Sequence, residues 1–299
     1  MNLIDSDNFP QCNTIATIGF FDGVHRGHSF LLQELNSLAK KDGLQSLVIS
    51  FFSPPQKTLN PLSDVCLLST SREKTAQFEA LELDNCLLLN FDNVLAQKTA
   101  LEFLCFIKSE FRVQKLLMGY DHRFGSDKIL DFEEYKKIGE KVGVEILKCS
   151  PFLFENNEIS SSKIRLLIKE GEIEKANFLL GYAYSLTGEV VLGNQIGRKI
   201  GFPTANLSVD SNKLLPKNGV YAVDVIVEGR QFKGLLNIGT RPTLNADGKT
   251  IEVHILDFNE EIYKKTIFVK IKRRLRDEQK FASLEELKAQ IAKDKSNLE

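Results

Sequence analysis

From about residue 14 to residue 183, short runs that are apolar from end to end alternate with stretches of helical periodicity. Thr14-Ile15-Ala16-Thr17-Ile18, Leu47-Val48-Ile49-Ser50-Phe51-Phe52, Cys86-Leu87-Leu88-Leu89, Leu116-Leu117-Met118 and Val144-Glu145-Ile146-Leu147 read as buried strands. Between them, Leu31, Leu35 and Leu38 recur at helical spacing before a stop at Gly43. Glu73 to Leu83, Thr99 to Phe111 and Phe132 to Val142 also read as helices, and a single helix from Ser162 to Leu180, ended by Gly181, closes the region. Strands without a polar face cannot lie against water, so the pattern requires an α/β fold whose parallel sheet is covered on both sides. In such sheets the ligand sits at the carboxyl ends of the strands. Pro54-Pro55 reads as a loop leaving that same edge.

The first of these strands runs into Gly19-Phe20-Phe21-Asp22-Gly23-Val24-His25-Arg26-Gly27-His28, so two of the chain's 4 histidines share one strand-to-helix turn. Glycine lets a backbone approach a phosphate closely, and a helix start offers unpaired N–H groups and a positive dipole end. Two imidazoles three residues apart can address the same group. The pattern G-x-x-x-x-G-K-[ST] does not occur, which argues against a P-loop kinase. The turn resembles the H-x-G-H turn of the nucleotidyltransferase superfamily. That resemblance implies ATP binding around Gly19, Phe20, Asp22, Gly23 and Gly27, with His25 and His28 stabilising charge on the phosphate under attack.

A length of 299 residues suggests two domains. A hydrophobic content of 42% and a charged content of 26% are those of a soluble globular protein. With 39 basic against 40 acidic residues, no bulk field points to nucleic acid, and Lys270-Ile271-Lys272-Arg273-Arg274-Leu275-Arg276 reads as a solvated strand face. The 5 cysteines are scattered without C-x-x-C spacing, which fits reduced thiols better than a disulfide framework or zinc site. Met1-Asn2-Leu3-Ile4-Asp5 lacks the features of a signal peptide, and no apolar run approaches the roughly 18 residues of a membrane helix. The expectation is a cytoplasmic protein, monomeric or weakly homo-oligomeric, with small-molecule substrates and neither nucleic acid nor membrane as partner.

After Tyr184 the pattern changes. Tyr221, Val223, Val225 and Val227 alternate with Ala222, Asp224, Ile226 and Glu228 before a turn at Gly229-Arg230. Ile251-Glu252-Val253-His254-Ile255 and Thr266-Ile267-Phe268-Val269-Lys270-Ile271 are further β-rich runs, and Ser283-Leu284-Glu285-Glu286 is a capping box opening a terminal helix. Short strands with one late helix suggest a small antiparallel barrel. The expected domains are therefore 1–183 and 184–299.

Three further segments carry chemistry. Met118-Gly119-Tyr120-Asp121-His122-Arg123-Phe124-Gly125 follows a strand, and Ile159-Ser160-Ser161-Ser162-Lys163-Ile164-Arg165 reads as a helix start whose hydroxyls and cations suit phosphate. They look like the G-x-D-F-x-F-G and I-S-S-T-x-I-R motifs of bacterial FAD synthetase. Gly197-Arg198-Lys199-Ile200-Gly201-Phe202-Pro203-Thr204-Ala205-Asn206-Leu207 resembles the G-R-x-x-G-x-P-T-A-N signature of riboflavin kinase. Its glycines and Arg198 suit a loop over phosphates, while Thr204 and Asn206 offer hard oxygen donors suited to Mg²⁺.

On these residues the chain resembles the bifunctional riboflavin kinase/FAD synthetase family, from about residue 14 to 293. The resemblance implies a Rossmann-like nucleotidyltransferase domain followed by a kinase barrel. The barrel would use ATP and Mg²⁺ to phosphorylate riboflavin to FMN, and the first domain would adenylylate FMN to FAD with release of pyrophosphate. It further implies that His25, His28 and Arg165 stabilise charge in adenylyl transfer. Asp121, Arg123, Ser160, Ser161 and Ser162 would bind substrates there, as would Gly197, Arg198, Gly201, Pro203, Asn237 and Arg241 in the barrel. Thr204 and Asn206 would hold the metal. From pattern alone Glu252 reads as an outward, solvated glutamate; the resemblance makes it the catalytic base of the kinase. The chain departs from the family at His122, where an aromatic residue is usual, and at Ser162, which keeps the hydroxyl of the usual threonine.

Two alternatives accompany this reading. The H-x-G-H turn does not choose its acceptor, so another phosphate is possible. A flavin-binding sensor without turnover is the other, and the joint presence of His25, His28, Arg165, Thr204, Asn206 and Glu252 argues against it.

Overall fold

The computed structural model describes residues 1–4, 8–60, 65–120, 122–150, 152, 159–193, 197, 201–240 and 248–298; Asp121, Arg198 and Arg241 lie outside the described residues. The chain forms two compact units, Met1–Val65 with Ser71–Ser160, and Cys66–Thr70 with Ser161–Glu299.

The first unit is built on parallel strands β1 (Asn2–Ile4), β2 (Thr14–Ile18), β3 (Gln45–Phe51), β4 (Asn85–Leu89), β5 (Val113–Met118) and β6 (Glu145–Lys148). Their order is β1-β4-β3-β2-β5-β6. Every residue of β2 is buried. Alternate residues feed opposite faces: Ala16, Ile18, Leu47 and Ile49 join one core, and Ile15 and Val48 the other. The edge strand β1 is too short to register as a pattern; pairing with β4 creates it. From β2 the chain builds outward through β3 and β4 on one side, then through β5 and β6 on the other. The crevice beyond the carboxyl ends of β2 and β5 is thus the topological switch point, where open α/β sheets bind ligands.

Helices α1 (Arg26–Asp42), α2 (Pro55–Leu59), α3 (Ser71–Ala80), α4 (Asn93–Gln97), α5 (Ala100–Phe111) and α6 (Phe132–Val142) surround the sheet. α1 buries Leu31, Leu32, Leu35 and Ala39 and stops at Gly43, whose φ of 64° is left-handed. Thr99 and Glu102 form a reciprocal capping box at the start of α5. Pro55 does not sit in a loop as expected: it opens α2, where its missing N–H costs nothing.

The second unit contains α7 (Ser161–Glu170) and α8 (Ile173–Leu180). The single helix expected over 162–180 is broken at Gly171, which adopts φ of 83°. Next come β7 (Ser185–Val191), β8 (Ala205–Val209), β9 (Gly219–Val227), β10 (Arg230–Thr240), β11 (Lys249–Ile255) and β12 (Thr266–Arg276). They form a closed antiparallel barrel in the order β10-β11-β8-β7-β12-β9. Helix α9 (Leu284–Ser296) follows, its first turn capped by Ser283, which accepts the Glu286 N–H. Among the described residues, no helix is long and apolar enough to cross a membrane.

Candidate active sites

The glycine-histidine turn lies at the switch point of the sheet, between the end of β2 and α1. Phe21 and Val24 hold φ of 53° and 32°, while Gly23 at 76° takes the left-handed position that glycine tolerates. A Cβ on Gly19 would sit 2.9 Å from Cζ of Phe21, so glycine lets that ring fold back over the strand end. Asp22 and His25 are buried at 3% and 5% exposure.

His25 is the N-cap of α1, and its Nδ1 accepts the His28 N–H at 3.3 Å. An imidazole nitrogen that accepts carries no proton, so the neutral ring bears its hydrogen on Nε2 as a donor. The His25 and His28 rings stack with centroids 3.6 Å apart and planes 17° from parallel. Burial holds the His28 pKa well below its ordinary value, and the charges of His25, Lys74 and His122 act in the same direction. His28 Nδ1 is covered and has no hydrogen-bond partner among the described residues. With His28 kept from taking up a proton, rings stacked at a helix start present N–H donors to an anion without placing two cations face to face.

The loop after β5 borders the other side of this crevice. His122 N–H bonds to Gly119 O at 3.2 Å, and Phe124 is held at both ends by the Tyr135 hydroxyl, which accepts its N–H at 3.1 Å and donates to its carbonyl at 2.7 Å. Exposed Arg123 and half-buried His122 line a cavity of about 460 Å³ whose other walls include Ile18, Phe51, Phe91 and Phe103. Such an apolar slot fits a flat aromatic ring.

In the second unit, strand register aligns the predicted kinase residues. Glu252 on β11 is paired with Asn237 on β10 and with Asn206 on β8. Residues directly opposite in antiparallel strands share a face, so this register sets two carboxamides on either side of one carboxylate. Ile251, Val253 and Ile255 point into the barrel, whereas Glu252 and His254 are half-buried on its outer face. That face is not open surface: Thr204, Asn237, Glu252, His254, Phe281 and Ile291 line a cavity of about 330 Å³. A second cavity of about 340 Å³ is also lined by Thr204, together with Pro203, Phe258 and Tyr263. His254, for which pattern offered no role, shares its ring nitrogen Nδ1 with Pro203 O at 2.8 Å and tethers the segment before Thr204.

Thr204 and Asn206 carry the oxygen donors that a hard cation takes. A Cβ on Gly193 would fall 2.1 Å from the Asn206 amide nitrogen, and one on Gly197 would fall 3.3 Å from Thr204 Oγ1. Only glycine permits so close an approach to these two side chains, and Glu252 adds a carboxylate in the same row as Asn206. Exposed Gly201 adopts φ of 85° just before Pro203.

Ser160 ends the first unit, and Ser161, Ser162 and Arg165 open α7 in the second, where Arg165 Nε donates to Cys66 O at 3.0 Å. Sequence reasoning also missed one residue beside His28, the buried Lys74. It sits in the polar run Ser71-Arg72-Glu73-Lys74-Thr75, which carries no signal of burial.

A switch-point turn with paired imidazoles, joined in one chain to a barrel with an oxygen-rich row at its cavity, defines a nucleotide-handling transferase of two parts. Family models match both parts: FAD synthetase over residues 8–163 and riboflavin kinase over residues 180–299. A bifunctional riboflavin kinase/FMN adenylyltransferase of Escherichia coli (strain K12) is 38% identical over 287 residues, covering 95% of this chain and 91% of the relative. One from Listeria monocytogenes is 34% identical, covering 98% and 94%. The chain belongs to the bifunctional riboflavin kinase/FMN adenylyltransferase family. A crystal structure named as a macrolide-efflux protein from Streptococcus pneumoniae is 31% identical, with a TM-score of 0.88 and coverage of 99% of this chain and 97% of that one. The likeness to that structure is one of fold.

Proposed function

We propose that residues 184–299 phosphorylate riboflavin with ATP to give FMN and ADP, and that residues 1–183 then transfer AMP from a second ATP to FMN. The products of the second step are FAD and pyrophosphate. The observation that carries this reading is the Asn206–Glu252–Asn237 row at the barrel cavity, on the same chain as the stacked His25–His28 pair. It supports one chain carrying both a maker of FMN and a site for nucleotidyl transfer.

In the kinase step, Glu252 accepts the proton of the ribityl 5′-hydroxyl as its oxygen attacks the γ-phosphorus of ATP and ADP leaves. Asn237 lies opposite Glu252 to orient the hydroxyl, and Thr204, shared by both cavities, marks where acceptor and donor meet. Thr204 and Asn206 would hold Mg²⁺, which when bound would offset phosphate charge. Gly197, Gly201 and Pro203, with Arg198 and Arg241 by motif, would shape the loops over the phosphates.

Adenylyl transfer needs no protein nucleophile. The FMN phosphate is already ionised; its oxygen attacks the α-phosphorus of ATP, and pyrophosphate carries away the displaced charge. His25 Nε2–H and His28 donate to phosphate oxygens as charge develops, and the start of α1 adds its dipole. The slot between Phe51, Phe91 and Phe103 would take the flavin ring. Arg123, Asp121, Ser160, Ser161, Ser162 and Arg165 enter this reading from their motif positions. A cytoplasmic location fits the substrates.

The test is separation of products after incubation with riboflavin, ATP and Mg²⁺. FMN followed by FAD is expected. FMN without FAD, even when FMN is supplied, would point to another phosphate acceptor, and tight flavin binding with neither product would point to a sensor.

A further inference from the structure

Helix α3 has a polar sequence, yet it buries Glu73, Lys74 and Phe78. Lys74 and Phe78 are four residues apart and so share one helix face. Both reach the phosphate turn. Lys74 is 2% exposed, and its ammonium donates to Phe20 O at 3.0 Å and to Phe51 O at 2.8 Å. It also lies over the Phe20 ring, 4.3 Å from the centroid. Phe78 meets the Phe21 ring edge-on at 5.9 Å, and Phe21 in turn meets His28 at 5.2 Å.

The two carbonyls that Lys74 grips have a common position. β2 and β3 exchange a late ladder bond from Gly19 N–H to Ile49 O at 3.0 Å, and Phe20 O and Phe51 O lie beyond it at the strands' carboxyl ends. Ser50 Oγ donates to Phe20 O as well, at 3.1 Å. Directly after Phe20 comes Phe21 with a positive φ, and Val24, three residues further on, also has one. Such backbone costs about 1–3 kcal/mol per residue and persists only where its surroundings hold it. An apolar side chain would fill this space without the cost of burying an ammonium. The lysine is there for what it grips.

We propose that Lys74 is the positioning residue of the adenylyl-transfer turn: by holding the Phe20 and Phe51 carbonyls, it fixes the strained peptide that presents Asp22, His25 and His28 to the nucleotide phosphates. The proposal rests on the assignment of adenylyl transfer to the first unit. Burial pushes the Lys74 ammonium down to about 8, against the opposing pull of Asp22 and Cys86. Its charge adds to those of His25 and His122 in keeping His28 neutral. The groups facing Lys74 are therefore Asp22 on the turn, His28 on α1 and Cys86 on β4.

The experiment compares wild type, Lys74→Met and Lys74→Gln in the full chain, measuring FAD formation from supplied FMN and FMN formation from riboflavin. Misplacing the turn should lower kcat for FAD formation about 100-fold in Lys74→Met. KM for ATP and FMN formation should stay within about threefold of wild type, an effect well short of a tenfold change in free-energy terms. Lys74→Gln keeps an amide donor and should fall between the two. Wild-type FAD formation should decline above pH 8 with a limb that Lys74→Met lacks. A structural role alone would lower the melting temperature without removing that limb. Folded Lys74→Met with wild-type kcat, or with the limb intact, overturns the proposal; if it does not fold, Lys74→Gln with wild-type kcat does so. Absence of FAD formation in wild type is a different result, and it overturns the assignment of the unit together with the proposal.

Discussion

His28 and Glu252 carry the clearest expectations at the scale of single residues, and pattern alone would leave Glu252 on the surface. Burial, then His25, Lys74 and His122, disfavour the charged form of His28. The sign for stability follows. The unfolded imidazole takes up a proton near pH 6.5 and the folded one only well below it, so acidification favours the unfolded state from about pH 6.5 downward. His28→Gln should therefore flatten the loss of stability of the first unit between roughly pH 6.5 and 5, read as unfolding midpoints against pH. His28→Ala should abolish FAD formation and leave FMN formation intact. Glu252→Gln should do the converse, lowering FMN formation by about 10²–10⁴-fold, the usual contribution of a general base, while supplied FMN is still adenylylated. One substitution that removed both activities from folded protein would contradict separate sites.

At the scale of elements, the break between α7 and α8 is a glycine effect. Gly171 needs its left-handed φ of 83°, and a Cβ there would also sit 2.8 Å from Arg274 Cδ. Gly171→Ala should cost roughly 1–2 kcal/mol from backbone strain alone. Gly229 has a similar φ of 79° with nothing within 4 Å of its missing Cβ, so Gly229→Ala should cost less than Gly171→Ala in denaturant unfolding. The helix periodicity of Ile164, Ile168, Ile173 and Ala176 concealed this break, because burial continues across it. The parallel sheet was legible because its strands are apolar throughout, and the terminal helix because Ser283 advertises its cap. β7 and β8 were not legible. Gly188 interrupts one, where a Cβ would meet Ser208 O at 2.7 Å, and Pro203 disguises the start of the other as a turn. The turn containing His25 and His28 announced itself by composition. Lys74 did not, since its partners are backbone carbonyls made available by tertiary structure.

Across the whole molecule, chain order and packing part company at residues 66–70. This segment precedes α3 in sequence but is integral to the second unit. Leu67 N–H bonds to Asn212 O at 2.7 Å, and Leu214 N–H bonds back to Leu67 O at 2.8 Å, an isolated parallel bridge. Lys213 is 5% exposed; its ammonium donates to Leu68 O at 2.6 Å and lies 4.4 Å from the centre of the Tyr184 ring. The Tyr184 hydroxyl in turn donates to Leu214 O at 2.6 Å. Leu68 itself is 1% exposed, so its truncation opens a cavity worth about 2–5 kcal/mol. The expected consequence is that Leu68→Ala in the full chain destabilises the unit that holds the barrel. Hydrogen exchange is the measurement: amides of β9 and β12 should lose protection, while those of β2 and β5 keep theirs. Lost protection in β2 and β5 with the barrel unchanged would place Leu68 in the wrong unit. FMN formation should then fail at a lower temperature than in wild type, although the altered residue lies more than a hundred positions before Glu252 in the chain.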